Sequence, residues 1–292
     1  MNLRWPVKWT IEDQNTRERF AGVQFNEKLY IAYRALVGDN IWLTYTKDDQ
    51  EHEYGRKWEK TTVLTEKTQG APALNLYNNK MHLAYRTVDT NQIRIASTED
   101  GEKWDKIENL NDRPITAPSL TTYKNKQYIA YGQDLGSARS KIAIGEYMDG
   151  QGWVINEIKD HYTKTEPSLT VYNNMLYLAY KSDDGYDQIC VSKSSDGKSW
   201  TKEEIEIKKT KYAPALQEIK GVLYLVFGDN DDNIIYMVKQ GELWREQEKV
   251  DGEKISAAPS LTKFKTIGEN ELALIGWSGK FNDKINCKVI II

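Results

Sequence analysis

Cysteine and histidine are scarce in this sequence, with two cysteines and three histidines among 292 residues. So few thiols exclude a disulfide framework. Cys190 and Cys287 also fall in equivalent segments of two different repeats, which a radial arrangement would hold apart, so we expect no disulfide between them. Because His52, His82 and His161 are scattered and no Cys/His cluster accompanies them, we expect no zinc site.

The sequence also lacks an excess of charge of either sign and lacks a long apolar run. Its 40 basic and 43 acidic residues give a net charge of -3, which argues against nucleic acid or an anionic membrane as partner. No run of about 18 apolar residues could span a membrane, and the first residues do not resemble a signal peptide. We therefore expect a chain that is cytoplasmic, exported by a signal-independent route, or separated from a signal that this sequence does not contain.

What the chain does contain is an internal repeat of roughly 45 to 49 residues. Five tryptophans mark it, each with a glycine three residues earlier: Trp58, Trp104, Trp153, Trp200 and Trp244. A proline follows each tryptophan after 14 residues, or after 15 in the last case: Pro72, Pro118, Pro167, Pro214 and Pro259. A repeat of this length is typical of stacked or radial architectures, so it decides the fold before any local motif does.

Each repeat contains four short segments of strand character, such as "PSLTVY", "MLYLAY", "QICVS" and "WTKEEIEI" in the fourth copy. Turn-forming Asn, Asp and Gly separate them, and no segment has the 3.6-residue period of a helix. The sequence therefore predicts an all-β fold: a six-bladed β-propeller of four-stranded antiparallel blades.

A small residue followed by an aromatic residue recurs in the second segment of every repeat, which suits closely stacked sheets. The small residues are Ala32, Ala84, Ala130, Ala179, Val226 and Gly276. The aromatic residues are Tyr33, Tyr85, Tyr131, Tyr180, Phe227 and Trp277.

The two ends of the chain predict how the ring closes. The sixth repeat ends after its third segment, whereas the N-terminus begins with a strand-like "VKWTIED" that belongs to no other repeat. We therefore expect the segment from Val7 to Ile11 to pair beside Ile285 to Ile292 and to complete the last blade. Residues 1–292 would then form one six-bladed domain.

The turn that ends each third segment carries a resemblance to a known family. The segments are "STEDGEKW" (Ser97 to Trp104), "DGQGW" (Asp149 to Trp153) and "SSDGKSW" (Ser194 to Trp200). They resemble the Asp-box, also called the BNR repeat, of sialidase-superfamily propellers, although the aspartate here is adjacent to the glycine and the copies at Gly55 and Gly241 lack it. The resemblance implies a propeller fold, a structural role for these turns, and a functional site on the opposite face.

The loops after the second segments build that opposite face, and they are rich in Asp, Asn, Gly and Lys. Sugars need planar apolar surface beside polar acceptors, and these loops together with the recurrent aromatics offer both. The predicted ligand-binding residues are Tyr33, Arg34, Tyr85, Arg86, Tyr131, Tyr180, Lys181, Phe227, Trp277, Asp89, Asp183 and Asp229. Core packing for the aromatics and turn formation for the acids are the structural alternatives.

Three functions stay open at this stage. The arginine cluster, the Arg-Ile-Pro-type motif and the Tyr/Glu pair that the resemblance would imply for a sialidase are not recognisable. The main hypothesis is therefore a multivalent, lectin-like propeller without catalysis that binds glycans or glycoproteins. The alternatives are a glycoside hydrolase or sialidase-like enzyme with non-standard catalytic residues, and an interaction or receptor-binding component of a bacterial toxin-like assembly.

No cofactor is predicted, and calcium is a weaker hypothesis. It rests on two acidic loops, Asp183 to Asp187 and Asp229 to Asn233. Neither loop has the spacing of a twelve-residue calcium-binding loop. Solvated turn acids explain both loops without a metal.

Overall fold

The computed structural model of the protein describes residues 8–46, 58–110, 112–134, 136, 139–148, 150–205, 208–265, 271–280 and 282–290. These residues form 24 strands in six four-stranded antiparallel sheets arranged as a six-bladed β-propeller. The described residues contain no helix, and hence none that could cross a membrane. The all-β, six-bladed prediction is confirmed.

The blades follow one another along the chain, and each is a meander of consecutive strands except the last. Blade 1 contains β2 (Ala21–Phe25), β3 (Lys28–Arg34), β4 (Asn40–Thr46) and β5 (Trp58–Lys67). Blade 2 contains β6 (Ala73–Tyr77), β7 (Lys80–Arg86), β8 (Ile93–Thr98) and β9 (Asp105–Leu110). Blade 3 contains β10 (Ser119–Tyr123), β11 (Lys126–Gln133), β12 (Lys141–Met148) and β13 (Gly152–Tyr162).

The second half of the ring repeats this order. Blade 4 contains β14 (Ser168–Tyr172), β15 (Met175–Lys181), β16 (Ile189–Ser194) and the short β17 (Thr201–Lys202). Blade 5 contains β18 (Ala215–Ile219), β19 (Val222–Gly228), β20 (Asn233–Gln240) and β21 (Leu243–Lys254). Blade 6 contains β22 (Ser260–Lys265), β23 (Glu271–Ser278), β24 (Lys284–Ile290) and, as its outer strand, β1 (Lys8–Asn15).

The N-terminal strand closes the ring. Strand β1 pairs antiparallel with β24, and Trp9, Thr10 and Ile11 lie opposite Cys287, Asn286 and Ile285. The predicted closure of the last blade by the N-terminal strand is thereby confirmed over the described residues. Val7, Ile291 and Ile292 lie outside them.

The core lies between the blades. The small residues of the second strands, Ala32 and Gly276 among them, sit in strands whose central positions are buried on both faces. Each following aromatic side chain packs on strands of the preceding blade: Tyr85, for example, lies in one cluster with Ile41 and Leu43. A sheet covered on both faces needs apolar residues on both, which explains why these strands do not alternate strictly between apolar and polar residues.

The meander defines two faces of the ring. Because the strands are antiparallel, the connections between second and third strands lie on one face, here called the loop face, and the two hairpin turns of each blade lie on the other, here called the turn face. The first strands of neighbouring blades contact one another and surround the central channel. Both cysteines are free, Cys190 in β16 of blade 4 and Cys287 in β24 of blade 6.

Candidate functional site

The six recurrent aromatic residues lie beneath the loop face rather than on it. Their exposed fractions do not exceed 2%. The residues are Tyr33, Tyr85, Tyr131, Tyr180, Phe227 and Trp277. Two of the hydroxyl groups are bound by acids, since Tyr85 donates to Glu66 (2.7 Å) and Tyr131 donates to Asp112. Their burial favours the packing alternative, and a role in ligand binding stays a prediction.

Two of the three predicted acids, Asp229 and Asp89, support their own loops. Asp229 accepts hydrogen bonds from the backbone amides of Asp231 (2.9 Å) and Asn233 (2.8 Å). Asp89 accepts one from the Thr90 amide (2.8 Å), and this hydrogen bond is the main reason why the pKa of Asp89 is lowered. Such contacts are typical of turn formation by short acidic side chains.

Asp183 differs from the other two acids because its partners come from a neighbouring part of the ring. Its carboxylate pairs with Lys164 (3.2 Å) and lies near the Ser140 amide (3.5 Å). The structure therefore does not bring the three predicted acids together in one place.

Two of the three predicted basic residues belong to one cluster. Arg34, at the end of β3, binds Glu18 (3.1 Å) and Asp39 (2.5 Å). Arg86, at the equivalent end of β7, lies close enough to Arg34 and Glu18 for their charges to shift its pKa. Lys181, in contrast, pairs with Asp187 (2.9 Å) in blade 4.

Arg19 completes this cluster, and the prediction from sequence missed it. Arg19 precedes blade 1, and its guanidinium donates to the carbonyl oxygens of Glu166 (3.3 Å) and Pro214 (3.2 Å), which precede blades 4 and 5. The side chain therefore reaches across the channel at the loop face. We call Glu18, Arg19, Arg34, Arg86 and Glu166 the channel-mouth cluster.

A sequence signal for Arg19 does exist. Its counterparts in the repeats, immediately before the recurrent proline, are Ala71, Ala117, Glu166, Ala213 and Ala258. Arginine and glutamate are therefore the two departures from alanine at this position. They stand three blades apart, on opposite sides of the channel.

The electrostatics of the channel-mouth cluster depend on partial burial. Burial raises the pKa of Glu18, and the nearby charge of Glu166 raises it further, against the opposing effect of Arg34. Burial likewise lowers the pKa of Arg19 and of Arg86, and the charges of Glu166 and Glu18 oppose this. Arginine stays charged even so, because its ordinary pKa lies above 12.

The cluster retains hydrogen-bonding capacity. The Nε groups of Arg19, Arg34 and Arg86 are buried and have no hydrogen-bond partner in the part of the chain that the structure describes. Among the described residues, neither Arg19 nor Arg86 forms an ion pair with a carboxylate. Donors from the guanidinium groups and acceptors from two glutamates therefore lie near one another at the loop-face end of the channel.

The described residues provide no arranged set of metal ligands. No group of three or more His, Cys, Asp or Glu side chains in the described part of the chain is positioned to hold a metal ion. In the two acidic loops, Asp184 binds the Ser182 hydroxyl (2.8 Å) and the Tyr186 amide (2.9 Å), and Asp229 binds the amides named above. Loop amides and hydroxyls therefore use the oxygens that the calcium hypothesis considered.

On the turn face, the aspartates beside glycine build tight turns in blades 2 and 4. Asp196 accepts hydrogen bonds from the amides of Lys198 and Ser199 (both 2.8 Å), and these bonds lower the pKa of Asp196 to about 2. Asp100 makes the same contacts in blade 2 with Glu102 (2.7 Å) and Lys103 (2.8 Å). These contacts are structural, as the sequence analysis expected of this turn.

Comparison with known proteins shows the fold and no more. The sequence matches no protein family model, and no curated protein has a significantly similar sequence. Solved structures are similar at low identity: AofleA from Arthrobotrys oligospora (TM-score 0.67, 12% identity, 94% of this chain and 83% of that one) and the SapL1 lectin in complex with alpha methyl fucoside (0.68, 13%, 90% and 89%).

An enzyme shares the architecture as well. The sialidase of Trypanosoma rangeli, solved in complex with the inhibitor DANA, has a TM-score of 0.70 at 10% identity. The comparison covers 99% of this chain and 60% of the sialidase chain. A lectin and a sialidase therefore share this fold, so the fold by itself does not choose between binding and hydrolysis.

Proposed function

We propose that this protein is a carbohydrate-binding, lectin-like propeller and that it binds its ligand at the channel-mouth cluster on the loop face. The observation that carries the proposal is the convergence of Arg19, Arg34 and Arg86, each with a buried Nε group that has no hydrogen-bond partner among the described residues. The structural similarity to SapL1, a lectin in complex with alpha methyl fucoside, supports the ligand class.

The chemistry of the cluster suits a hydroxylated ligand. Guanidinium groups offer several hydrogen-bond donors in a fixed plane, and carboxylates offer only acceptors. Sugar hydroxyl groups donate and accept, so they satisfy both kinds of partner in one site. The partners would be glycans or glycoproteins, and the turns around Asp100 and Asp196 would be Asp-box-like structural turns on the opposite face, the turn face.

Arg86 is the most direct test of the site, because it has no ion pair among the described residues and its removal leaves no carboxylate unpaired. We expect Arg86→Ala to weaken retention of a bound glycan at least about tenfold, which corresponds to about 1.4 kcal/mol. Binding to a glycan array, followed by calorimetry with any glycan retained, measures this. Arg245→Ala removes an exposed arginine from the outer strand of blade 5 and serves as the matched control.

Glycoside hydrolysis is the second candidate function. It is favoured by one observation: Glu18 and Glu166 share the channel mouth, and burial together with the charge of Glu166 raises the pKa of Glu18. A carboxyl group whose pKa is raised is better suited to act as a general acid, and glycoside hydrolysis needs a second carboxyl group near it. Two carboxylates in different environments are the minimum that this chemistry requires.

Chromogenic glycosides separate the two candidates. We expect no turnover by the wild-type protein. Turnover that disappears in both Glu18→Gln and Glu166→Gln would replace the lectin proposal by the hydrolase. If the protein neither binds any glycan nor cleaves any glycoside, both are wrong and the interaction component that the sequence left open is favoured.

A further inference from the structure

A cavity lies between blades 2 and 3. It belongs to the turn face, opposite the channel mouth. Its volume is about 400 Å³, within the range of small-molecule sites. Residues from the turn-face ends of both blades line it, notably Tyr77, His82, Ser97, Gln127, Tyr147 and Trp153. We call it the interblade pocket.

One wall of the interblade pocket is aromatic. The ring centroids of Tyr147 and Trp153 are 5.4 Å apart, those of Tyr77 and Tyr147 are 6.3 Å apart, and those of Tyr77 and His82 are 5.7 Å apart. Tyr147 and Trp153 are only partly buried, so their rings border the opening. A row of rings of this kind offers a flat apolar surface.

Four buried polar atoms in residues that line the pocket have no hydrogen-bond partner among the described residues. The amide nitrogen of Gln127 and the indole nitrogen of Trp153 are buried without a hydrogen bond. Both ring nitrogens of His82 are buried without a hydrogen bond of normal geometry, although the Tyr77 backbone lies near enough to act weakly on the imidazole. The exposed fractions of His82 and Gln127 are 5% and 2%. An unpaired buried polar group costs about 1 to 3 kcal/mol, so four such atoms in one cavity indicate a place for a polar ligand.

The pocket exists because blades 2 and 3 depart from the repeat at this point. The counterparts of His82 in four other blades are tyrosines: Tyr30, Tyr128, Tyr177 and Tyr224. The counterparts of Gln127 in blades 1, 2, 4 and 5 are apolar: Leu29, Met81, Leu176 and Leu223. Both departures make the site more polar, and both line the same cavity.

The tyrosines at the positions equivalent to His82 show which space a tyrosine would fill between blades 2 and 3. Tyr30 and Tyr128 reach the turn glycines of the next blade, Gly101 and Gly197, so closely that an added Cβ at either glycine would lie 2.5 Å from the tyrosine. The imidazole of His82 is shorter than a phenol ring. Space that is packed at those two blade junctions is therefore open between blades 2 and 3.

The buried side of the pocket is uncharged, because the charged lining residues Lys80 and Asp105 lie at its exposed rim. Burial lowers the pKa of His82 to about 4, against a smaller opposing effect of the Tyr77 backbone, so the imidazole is neutral at pH 7. Lys80 at the rim is paired with Glu99 (2.8 Å). A neutral imidazole presents one donor and one acceptor, and Gln127 and Trp153 add donors.

We propose that the interblade pocket binds a neutral sugar ring, which stacks on Tyr147 and Trp153 and exchanges hydrogen bonds with His82 and Gln127. Hydroxyl groups satisfy donors and acceptors together, whereas a quaternary ammonium group would leave all four atoms unpaired. The pocket is a second ligand site on the opposite face, and it does not depend on the channel-mouth cluster.

The indole proton of Trp153 is the probe for this proposal. The ¹⁵N-labelled protein is titrated with the methyl glycosides of glucose, galactose, mannose, fucose and N-acetylglucosamine, each up to about 10 mM, enough to detect a Kd of about 1 mM. We expect at least one sugar to shift the Trp153 indole signal saturably. The indole of Trp200, which donates to the Gly197 carbonyl (3.2 Å), should stay unchanged.

Two substitutions restore the repeat and should remove the site while preserving the fold. His82→Tyr fills the cavity, and Gln127→Leu removes its amide. The double variant should lose the sugar-dependent shift and keep the far-ultraviolet circular dichroism of the wild type. If His82→Tyr does not fold, Gln127→Leu alone should weaken the sugar at least about fivefold.

Three results would overturn the proposal: no shift with any of the sugars, a shift with tetramethylammonium alone, or undiminished binding in the folded double variant. The channel-mouth proposal is tested separately. Arg86→Ala should leave the Trp153 response unchanged, and the double variant should keep any glycan retention that depends on Arg86, so that the failure of one site does not resemble the failure of the other.

Discussion

At the scale of single residues, shared positions and departures from them have different roles. The aromatic residues that recur in all six second strands, such as Tyr33 and Trp277, are buried in the core. The polar residues that depart from the repeat, such as Arg19 and His82, lie at the channel mouth and in the interblade pocket. Blades that pack alike need the same residues at the same positions. A polar residue that departs from the repeat therefore indicates a site better than a residue that all repeats share.

Asp232 provides a test of electrostatics at this scale. It is 3% exposed and accepts hydrogen bonds from Lys211 (2.8 Å) and Tyr212 (2.7 Å), with Lys280 as a further ion-pair partner. Burial alone would raise the pKa of Asp232, but these three partners lower it well below its ordinary value. The charged carboxylate therefore ties blade 6 to blade 5.

We expect Asp232→Asn to reduce the free energy of unfolding at pH 7 by about 2 kcal/mol. This is less than for a fully buried pair, because the lysines are about half exposed. Since the folded-state pKa is lowered, the stabilisation is present above the unfolded-state pKa of about 3.9 and is lost as the pH falls below it. Urea unfolding at pH 7 and pH 3 measures both effects. A difference between wild type and variant that grows on acidification would contradict the assignment.

At the scale of elements, the packing of one blade against the next decides what each strand position tolerates. The second strands carry alanine at four of the six small positions, which makes alanine the consensus choice at Gly276 as well. The structure, in contrast, leaves no room for an alanine side chain at this position. A Cβ added at Gly276 would lie 1.7 Å from the ring of Phe20, because Phe20 stands where the other repeats have proline.

We therefore expect Gly276→Ala to destabilise the protein by about 1 to 3 kcal/mol, the usual cost of overpacking. Thermal unfolding measures the loss. In a double-mutant cycle, the same substitution in a Phe20→Ala background should cost less by at least about 1 kcal/mol, because the clashing ring is gone. Equal costs in both backgrounds would mean that Phe20 does not pack on this strand.

At the scale of the whole molecule, the two ends of the chain hold the ring together. Strands β1 and β24 come from opposite ends of the sequence and share one blade, so the ring stays closed only while they pair. Arg19 adds a second long-range contact across the channel, from blade 1 to the residues before blades 4 and 5. Closure and the channel-mouth cluster therefore depend on the same tertiary arrangement.

A disulfide across the closing pair tests this arrangement. Thr10 and Asn286 are direct partners, and their side-chain oxygens are 3.1 Å apart, so both side chains lie on the same side of the blade. Opposite residues in an antiparallel pair have the Cα separation that a disulfide requires. The double variant Thr10→Cys/Asn286→Cys should therefore oxidise without strain.

We expect the oxidised form to be more stable than the reduced form by about 2 to 4 kcal/mol, because the bond closes a very long loop of the unfolded chain. Unfolding with and without reductant measures the difference. The single variant Thr10→Cys should show no dependence on reductant. Failure of the two thiols to pair under oxidising conditions would show that the register is wrong.

Much of the fold was predictable from the sequence, because it depends on period and pattern. The number of blades followed from five repeats that end at a tryptophan and a sixth that stops early: Trp58, Trp104, Trp153, Trp200 and Trp244. The unfinished sixth repeat also predicted the closing strand. The binding site was harder to predict from the sequence than the fold. Tyr180 has a residue type that binds sugars, but its burial comes from side chains of blade 3, which the sequence does not identify as its neighbours. The turn contacts of Asp229 are local, and turn formation was the structural alternative that the sequence already offered for this acid.

The sequence by itself determined the number of blades, the order of the strands and the closure of the ring, since local patterning and chain order suffice for these. Only the tertiary structure decided which polar groups meet. Arg19 and Glu166 are 147 residues apart and contact each other across the channel, and His82 and Gln127 share a cavity that exists only where two blades face each other. A site between distant segments depends on distances and burial, and these arise only when the ring has closed.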